Sequence, residues 1–192
     1  MPKRRMFAIA LFLLAAAGCR ADDALGPDTA SEVAPELTAV EAEAALHGAL
    51  VASASGGADW VLEVFGFVIP QTLGFSARKY ADGSVRGHIN YQQTFEGETL
   101  KFNATVICLS VYDGNRVKYG GEIQFSTDPA FPAGTFIWFQ GIDNGEGAGA
   151  PADQSTGSGF GTAEENQAFC DDPAAPNPLF LAGVNGDIQV RG

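Results

Sequence analysis

Histidine is nearly absent from this chain: His47 and His88 are the only two in 192 residues. A Ser-His-acid triad needs an imidazole as its base. His88 falls on the polar face of an alternating segment and His47 borders a polar N-terminal stretch, so neither is read as one, and no catalytic residue is assigned. Basic residues are also scarce, with 11 Lys and Arg against 23 Asp and Glu and a formal charge of −12. Such a surface repels phosphate backbones, which excludes nucleic acid as a partner. It repels anionic membranes too, so attachment to a membrane is expected through lipid rather than through a basic patch. Long apolar runs are missing: the stretch from Phe7 to Leu14 is far short of the roughly 20 residues that span a bilayer. A Gly-Lys-Ser/Thr phosphate loop, a Gly-x-Ser-x-Gly elbow and an EF-hand loop are all absent, and no cofactor is expected.

What is present begins with Lys3, Arg4 and Arg5, the apolar run, and then Ala15-Ala16-Ala17-Gly18-Cys19. A positive start, a short apolar core and small residues at the cut make a bacterial export signal. A cysteine straight after small residues resembles the lipobox of bacterial lipoproteins, which implies cleavage after residue 18 and lipidation of Cys19. The resemblance places the protein in the cell envelope, on the outer membrane where the cell has one and extracellular otherwise, because the aspartates Asp22 and Asp23 do not occupy the second mature position. Losing Lys3, Arg4 and Arg5 with the leader takes the formal charge from −12 to −15. Residues 20–35 are polar, small and proline-punctuated, which reads as a flexible tether. Thr38 and Glu41 fit a capping box, predicting a short helix at 39–46. The expected organisation is thus a signal peptide at 1–18, a tether with that helix at 19–45, and one domain at 46–192.

With Cys19 claimed by lipid, Cys108 and Cys170 remain as a pair in an oxidising setting, and a disulfide is expected. Two buried free thiols are the first alternative; a metal pair or a catalytic thiol is the sharper one, but no histidine lies near either cysteine in sequence.

From Leu73 onward the apolar period is two. Val85, Gly87, Ile89 and Tyr91 alternate with polar residues, as do Val117, Tyr119, Ile123 and Phe125. This pattern predicts strands with one buried and one wet face. Asp82-Gly83 and Asp113-Gly114-Asn115 are hairpin turns between 75–80 and 84–92, and between 101–111 and 116–125. Val106 to Leu109 is apolar on both faces, which predicts deep burial or a bulge. Further strands are expected at 60–68, 134–142 and near 48–55, and two short ones at 179–181 and 188–190 are expected to close the chain around a turn at Asn185-Gly186. The fold class is all-β: an antiparallel meander forming a barrel or sandwich of about eight to nine strands, with at most one short N-terminal helix. Residues 143–177 form a long Gly-, Ala- and Pro-rich excursion.

Asp143, Glu146 and Asp153 on that excursion are the candidate calcium ligands, since calcium favours oxygen donors on glycine-rich loops; a tight turn is the simpler account. The same three acids are the candidates for a hydrolase. Gly145-Glu-Gly147-Ala-Gly149 and Gly157-Ser-Gly159-Phe-Gly161 resemble phosphate loops only by glycine content. Phe136, Trp138 and Phe160 are candidates to line a small apolar ligand in a barrel mouth, against ordinary core packing.

The segments Phe75–Gly87, Val106–Val111, Asp143–Gly147 and Gly186-Asp-Ile-Gln-Val190, in that order, resemble a group of small exported bacterial β-domains of uncharacterised function. The resemblance covers roughly residues 73–190 and implies one β-domain, with no activity, substrate or catalytic residue attached. Together these readings point to a non-enzymatic structural or binding role in the cell envelope.

Overall fold

The computed structural model describes residues 47–64, 66–172 and 182–192. All of them belong to one structural unit. The expected signal peptide, Cys19, the tether, the helix at 39–46 and the strand at 179–181 lie outside the described residues.

Among the described residues there are ten strands: β1 (Leu50–Val64), β2 (Phe67–Tyr80), β3 (Val85–Phe95), β4 (Glu98–Tyr112), β5 (Arg116–Ser126), β6 (Phe136–Ile142), β7 (Gln154–Ser155), β8 (Gly159–Gly161), β9 (Ala182–Gly183) and β10 (Asn185–Arg191). β1 to β6 form an antiparallel meander, and β10 returns to pair with β1. β7 and β8 both pair with β6, and β9 pairs with β7. The result is a nearly closed eight-stranded barrel.

The alternating segments form strands because every second side chain turns into the barrel. Leu73, Phe75 and Ala77 of β2, Ile89 and Tyr91 of β3, and Val117 and Tyr119 of β5 all point inward. Both hairpin turns form where the Asp-Gly pairs stand, and Asp113 and Gly114 adopt positive φ of 53° and 78°. The bulge anticipated near Val106 occurs between Val106 and Cys108. It leaves Ile107 38% exposed and turns Cys108 to the outer surface of the barrel, where it is buried by other structure.

Three details differ from the sequence reading. The segments at 48–55 and 60–68 are one long strand, β1, turned by Gly66 (φ 85°) into β2. The turn is flanked by apolar residues, so it carried no polar signal. Phe125, expected inside, is 53% exposed, because a register shift between Asn103 and Ala104 resets the alternation after Ile123. Asn185-Gly186 is no turn: both residues lie in β10, opposite Asp59 and Ala58. A Cβ on Gly186 would collide with the Gly57 carbonyl, so glycine is required by close strand approach.

The excursion at 143–177 is also more ordered than expected. It holds β7, β8 and a helix, α1 (Ala163–Asp171). The helix starts at a capping box: the Thr162 hydroxyl accepts from the Glu165 amide at 3.2 Å, and Glu165 Oε2 accepts from the Thr162 amide at 2.8 Å. Among the described residues no helix is long and apolar enough to cross a membrane.

Two cores result. Inside the barrel the aromatic rings form a continuous series, Phe75 on Tyr119 (4.1 Å between centroids), then Phe139, Tyr91, Phe102, Phe160 and Phe131. Outside it, α1 lies over β4, β5 and β6 and buries Phe169 and Cys170 against Cys108 and Trp138.

Candidate functional site

Cys108 and Cys170 are joined in a disulfide, with Cα atoms 6.1 Å apart. It fastens α1 to the outer face of β4. Beneath the same helix Lys118 is fully enclosed, its Nζ donating to the Asp172 carbonyl at 2.6 Å and standing 4.6 Å from the Phe169 ring centroid. Loss of water depresses its pKa, and the nearby Asp172 charge opposes that shift. Asn166, also fully buried, donates to the Ile137 carbonyl at 3.1 Å. These are the contacts of a packed joint.

The three loop acids have separate fates. Asp153 is 6% exposed and accepts two backbone N–H groups, from Ile188 at 2.6 Å and from Asn144 at 2.8 Å. Asp143 accepts from Gly145 at 2.8 Å and from Val190 at 3.0 Å. Ile188 and Val190 are on β10, so both carboxylates bridge the gap where the end of β6 and its following loop face β10. Glu146 is exposed beside Asp187; a hydrogen bond to Asp187 and the charge of that group raise its pKa. Among the described residues no group of three or more His, Cys, Asp or Glu is placed to hold a metal ion.

The aromatic candidates do not share a face. Phe160 pairs with Ile137 and points inward, stacking on Phe131 at 3.8 Å. Phe136 and Trp138 alternate with Ile137 and face outward, and Trp138 packs against Phe169 of α1. Two glycines of Gly157-Ser-Gly159-Phe-Gly161 have a packing reason: a Cβ on Gly159 or Gly161 would collide with the Trp138 indole. His88 is exposed, with Nδ1 3.1 Å from Ser76 Oγ, and His47 Nδ1 lies 3.2 Å from Asp82 Oδ2.

One constellation was not anticipated. On the outer face of β10, β1, β2 and β3 the register builds two transverse rows, Arg191–Ser53–Arg78–Arg86 and Gln189–Ser55–Ser76–His88. Direct cross-strand neighbours have Cβ atoms about 5 Å apart. A groove of about 460 Å³ opens here, lined by Ser53, Ser55, Ser76, Arg78, Gln189 and Arg191 among others. Composition argued against any basic patch, yet strand pairing assembles one from residues up to 138 positions apart. Half of it was legible, since Arg78 and Arg86 stand symmetrically about the Asp82-Gly83 turn. The pairing of β10 with β1 left no local signal.

Compared with known protein families, with curated proteins and with solved structures, the chain shows no match.

Proposed function

We propose that this protein is an exported, lipid-anchored component of the bacterial cell envelope whose β-barrel domain works by binding rather than by catalysis. The observation that carries this reading is the Cys108–Cys170 disulfide. Such bonds persist in oxidising compartments, and this one accounts for both cysteines that remain once Cys19 takes a lipid. The basic leader and the small residues before Cys19 supply the route and the anchor. A cysteine carrying more than one acyl chain holds a membrane stably, whereas one chain is marginal.

The loop acids support a role without hydrolysis. A pair of catalytic carboxylates needs free oxygens facing a common substrate, and Asp143 and Asp153 instead bond the backbone of β10. The filled aromatic interior likewise favours a ligand on the outside of the barrel over one in its mouth.

Mass spectrometry of the full chain recovered from membranes of a bacterial host tests the proposal. The expected N-terminus is Cys19 carrying acyl chains, and Cys19→Ala releases the protein from the membrane fraction. An exported chain with unmodified Cys19 overturns the anchor; an uncleaved chain in the cytosol overturns export.

A further inference from the structure

We propose that the tip of the β1–β2 hairpin is a membrane-contact site, seating Phe67 and Val68 in the interfacial layer of a zwitterionic bilayer. The inference rests on the envelope location proposed above, but not on the lipidation of Cys19.

The hairpins that join β1 to β5 do not end alike. Three of them turn at an acid and a glycine, Asp82-Gly83, Glu96-Gly97 and Asp113-Gly114, and all six residues are exposed. Turns that face water carry such residues. Between β1 and β2 the sequence instead reads Val64-Phe65-Gly66-Phe67-Val68, with Gly66 at φ 85°. Phe67 is 44% and Val68 63% exposed. From Trp60 to Pro70 the one charged residue is Glu63, in a chain whose formal charge is −12.

The shape of the tip selects its occupant. β1 and β2 stay paired as far as Val64 and Phe67, whereas the β10 partners of β1 stop at Asp59 and the β3 partners of β2 start at Gln71. The register puts Leu62, Ile69 and Phe67 on one face of this ribbon and Val61, Val68 and Pro70 on the other. A strand-binding protein partner adds along one edge of a ribbon. A ribbon that is apolar on both faces and across its turn suits a medium that surrounds it, as lipid does. Two features limit the depth. Hydrocarbon offers no partners to the backbone groups on the ribbon's outer edges, and Glu63 stands directly opposite Val68. Interfacial segments sink about 5–10 Å, two or three residue pairs at about 3.4 Å each. That depth seats Phe67 and Val68 and leaves Glu63 among the headgroups. The β3–β4 tip adjoins the site: the Phe95 ring centroid is 5.1 Å from that of Phe67, and Glu96 and Glu98 just beyond it are exposed. Carboxylates around the contact are repelled by anionic headgroups, which sets the preference for zwitterionic lipid.

The N-terminal chain is long enough for the tip to reach the bilayer that would hold Cys19. The described residues begin at His47, whose Nδ1 lies 3.2 Å from Asp82 at the opposite end of the barrel. Cys19 stands 28 positions earlier, a length that spans at most about 100 Å. The 15 residues of β1 run about 50 Å.

The test places one added tryptophan at each end of the full-length chain, F67W at the tip and A81W in the β2–β3 turn. Wild type supplies the background of Trp60 and Trp138. Positions 67 and 81 are both exposed, so Tm is expected to stay at the wild-type value. Each chain, as recovered from the host, is reconstituted with phosphatidylcholine vesicles whose brominated acyl chains quench tryptophan on contact. The expected result is that F67W shifts to the blue and loses most of its added fluorescence, while A81W is unchanged. Phosphatidylglycerol mixed into the vesicles, or V68S added to F67W, should reduce the quenching. F67W left unquenched, or A81W quenched as strongly, overturns the site. A blue shift of F67W that grows with protein concentration and needs no lipid assigns the tip to a second copy and overturns the bilayer as its occupant. The mass of the N-terminus, read on the same samples, separates the two proposals. An unmodified Cys19 with quenched F67W refutes the anchor alone, and an acylated Cys19 with unquenched F67W refutes the tip alone.

Discussion

Asp153 has two carboxylate oxygens, and each takes a backbone N–H that has no strand to pair with. One belongs to Ile188, on the open edge of β10, and the other to Asn144. Removing the carboxylate strands a buried donor, and hydrogen bonds to charged groups contribute about 1.5–3 kcal/mol each. Asp153→Ala is therefore expected to lower stability by about 3 kcal/mol, read from urea unfolding, while Asp143→Ala, at a half-buried site, costs less. The sequence showed that these acids stood on a glycine-rich loop needing oxygen acceptors. It did not show that the donors were backbone groups of β10, 35 and 47 residues further on. Glu146 differs, because its neighbour is the like-charged Asp187, which raises its pKa. A carboxyl with a raised folded-state pKa binds its proton more tightly folded than unfolded, so its ionisation weakens the fold. That penalty is present at neutral pH and is relieved as pH falls through the raised value towards the ordinary 4.5. Glu146→Gln should thus melt higher than wild type at neutral pH. The advantage should vanish in acid, as Tm measured from about pH 8 to about pH 3 would show; a constant difference would assign the effect to something other than charge.

At the scale of elements, α1 is the piece that sequence reading passed over. The pattern Ser/Thr-x-x-Glu was recognised at Thr38 and Glu41 but also stands at Thr162 and Glu165, ahead of the two residues α1 buries most usefully, Phe169 and Cys170. The glycines and prolines around it disguised a helix as part of a loop. Its apolar contact is small, a single ring and a sulfur against Trp138 and Cys108, so the covalent link matters more than it would for a longer helix. The disulfide spans 62 residues, and closing a loop of that length restricts the unfolded chain by about 4 kcal/mol on the entropic account. The double variant C108S/C170S is expected to lose about that much in urea unfolding. Gel mobility of the wild type should shift on reduction, while that of the variant should not. A helix that stayed protected in the reduced protein would show that Asn166 and Lys118 hold it unaided.

For the whole molecule, alternation made the barrel legible and its irregularities set the limit. Period-two reading found the inward faces of β2, β3 and β5, and failed where register shifts reset the phase, at Phe125, or where an apolar turn joined two apolar strands, at Gly66. Closure was not legible, since it depends on β10 meeting β1 across more than 120 residues. The same topology predicts how stability is distributed. β5 is paired on both sides from Arg116 to Glu122, and β4 from Phe102 to Thr105. The tip of the β1–β2 hairpin is not: among the described residues, β1 has no β10 partner beyond Asp59 and β2 has no β3 partner before Gln71. That ribbon also leaves Val61, Phe67 and Val68 44–63% exposed, and a two-stranded ribbon alone is at best marginally stable in water. Local opening should therefore begin there. Hydrogen exchange is expected to be fastest for amides of 61–64 and 67–69, slowest for 102–105 and 117–121, and intermediate for Ile188 and Val190, whose partners are carboxylates. Replacing Asp143 and Asp153 with asparagine should speed exchange at Ile188 and Val190 before it affects the centre of β4. If both regions accelerate together, the seam does not open on its own and the barrel unfolds as one cooperative unit.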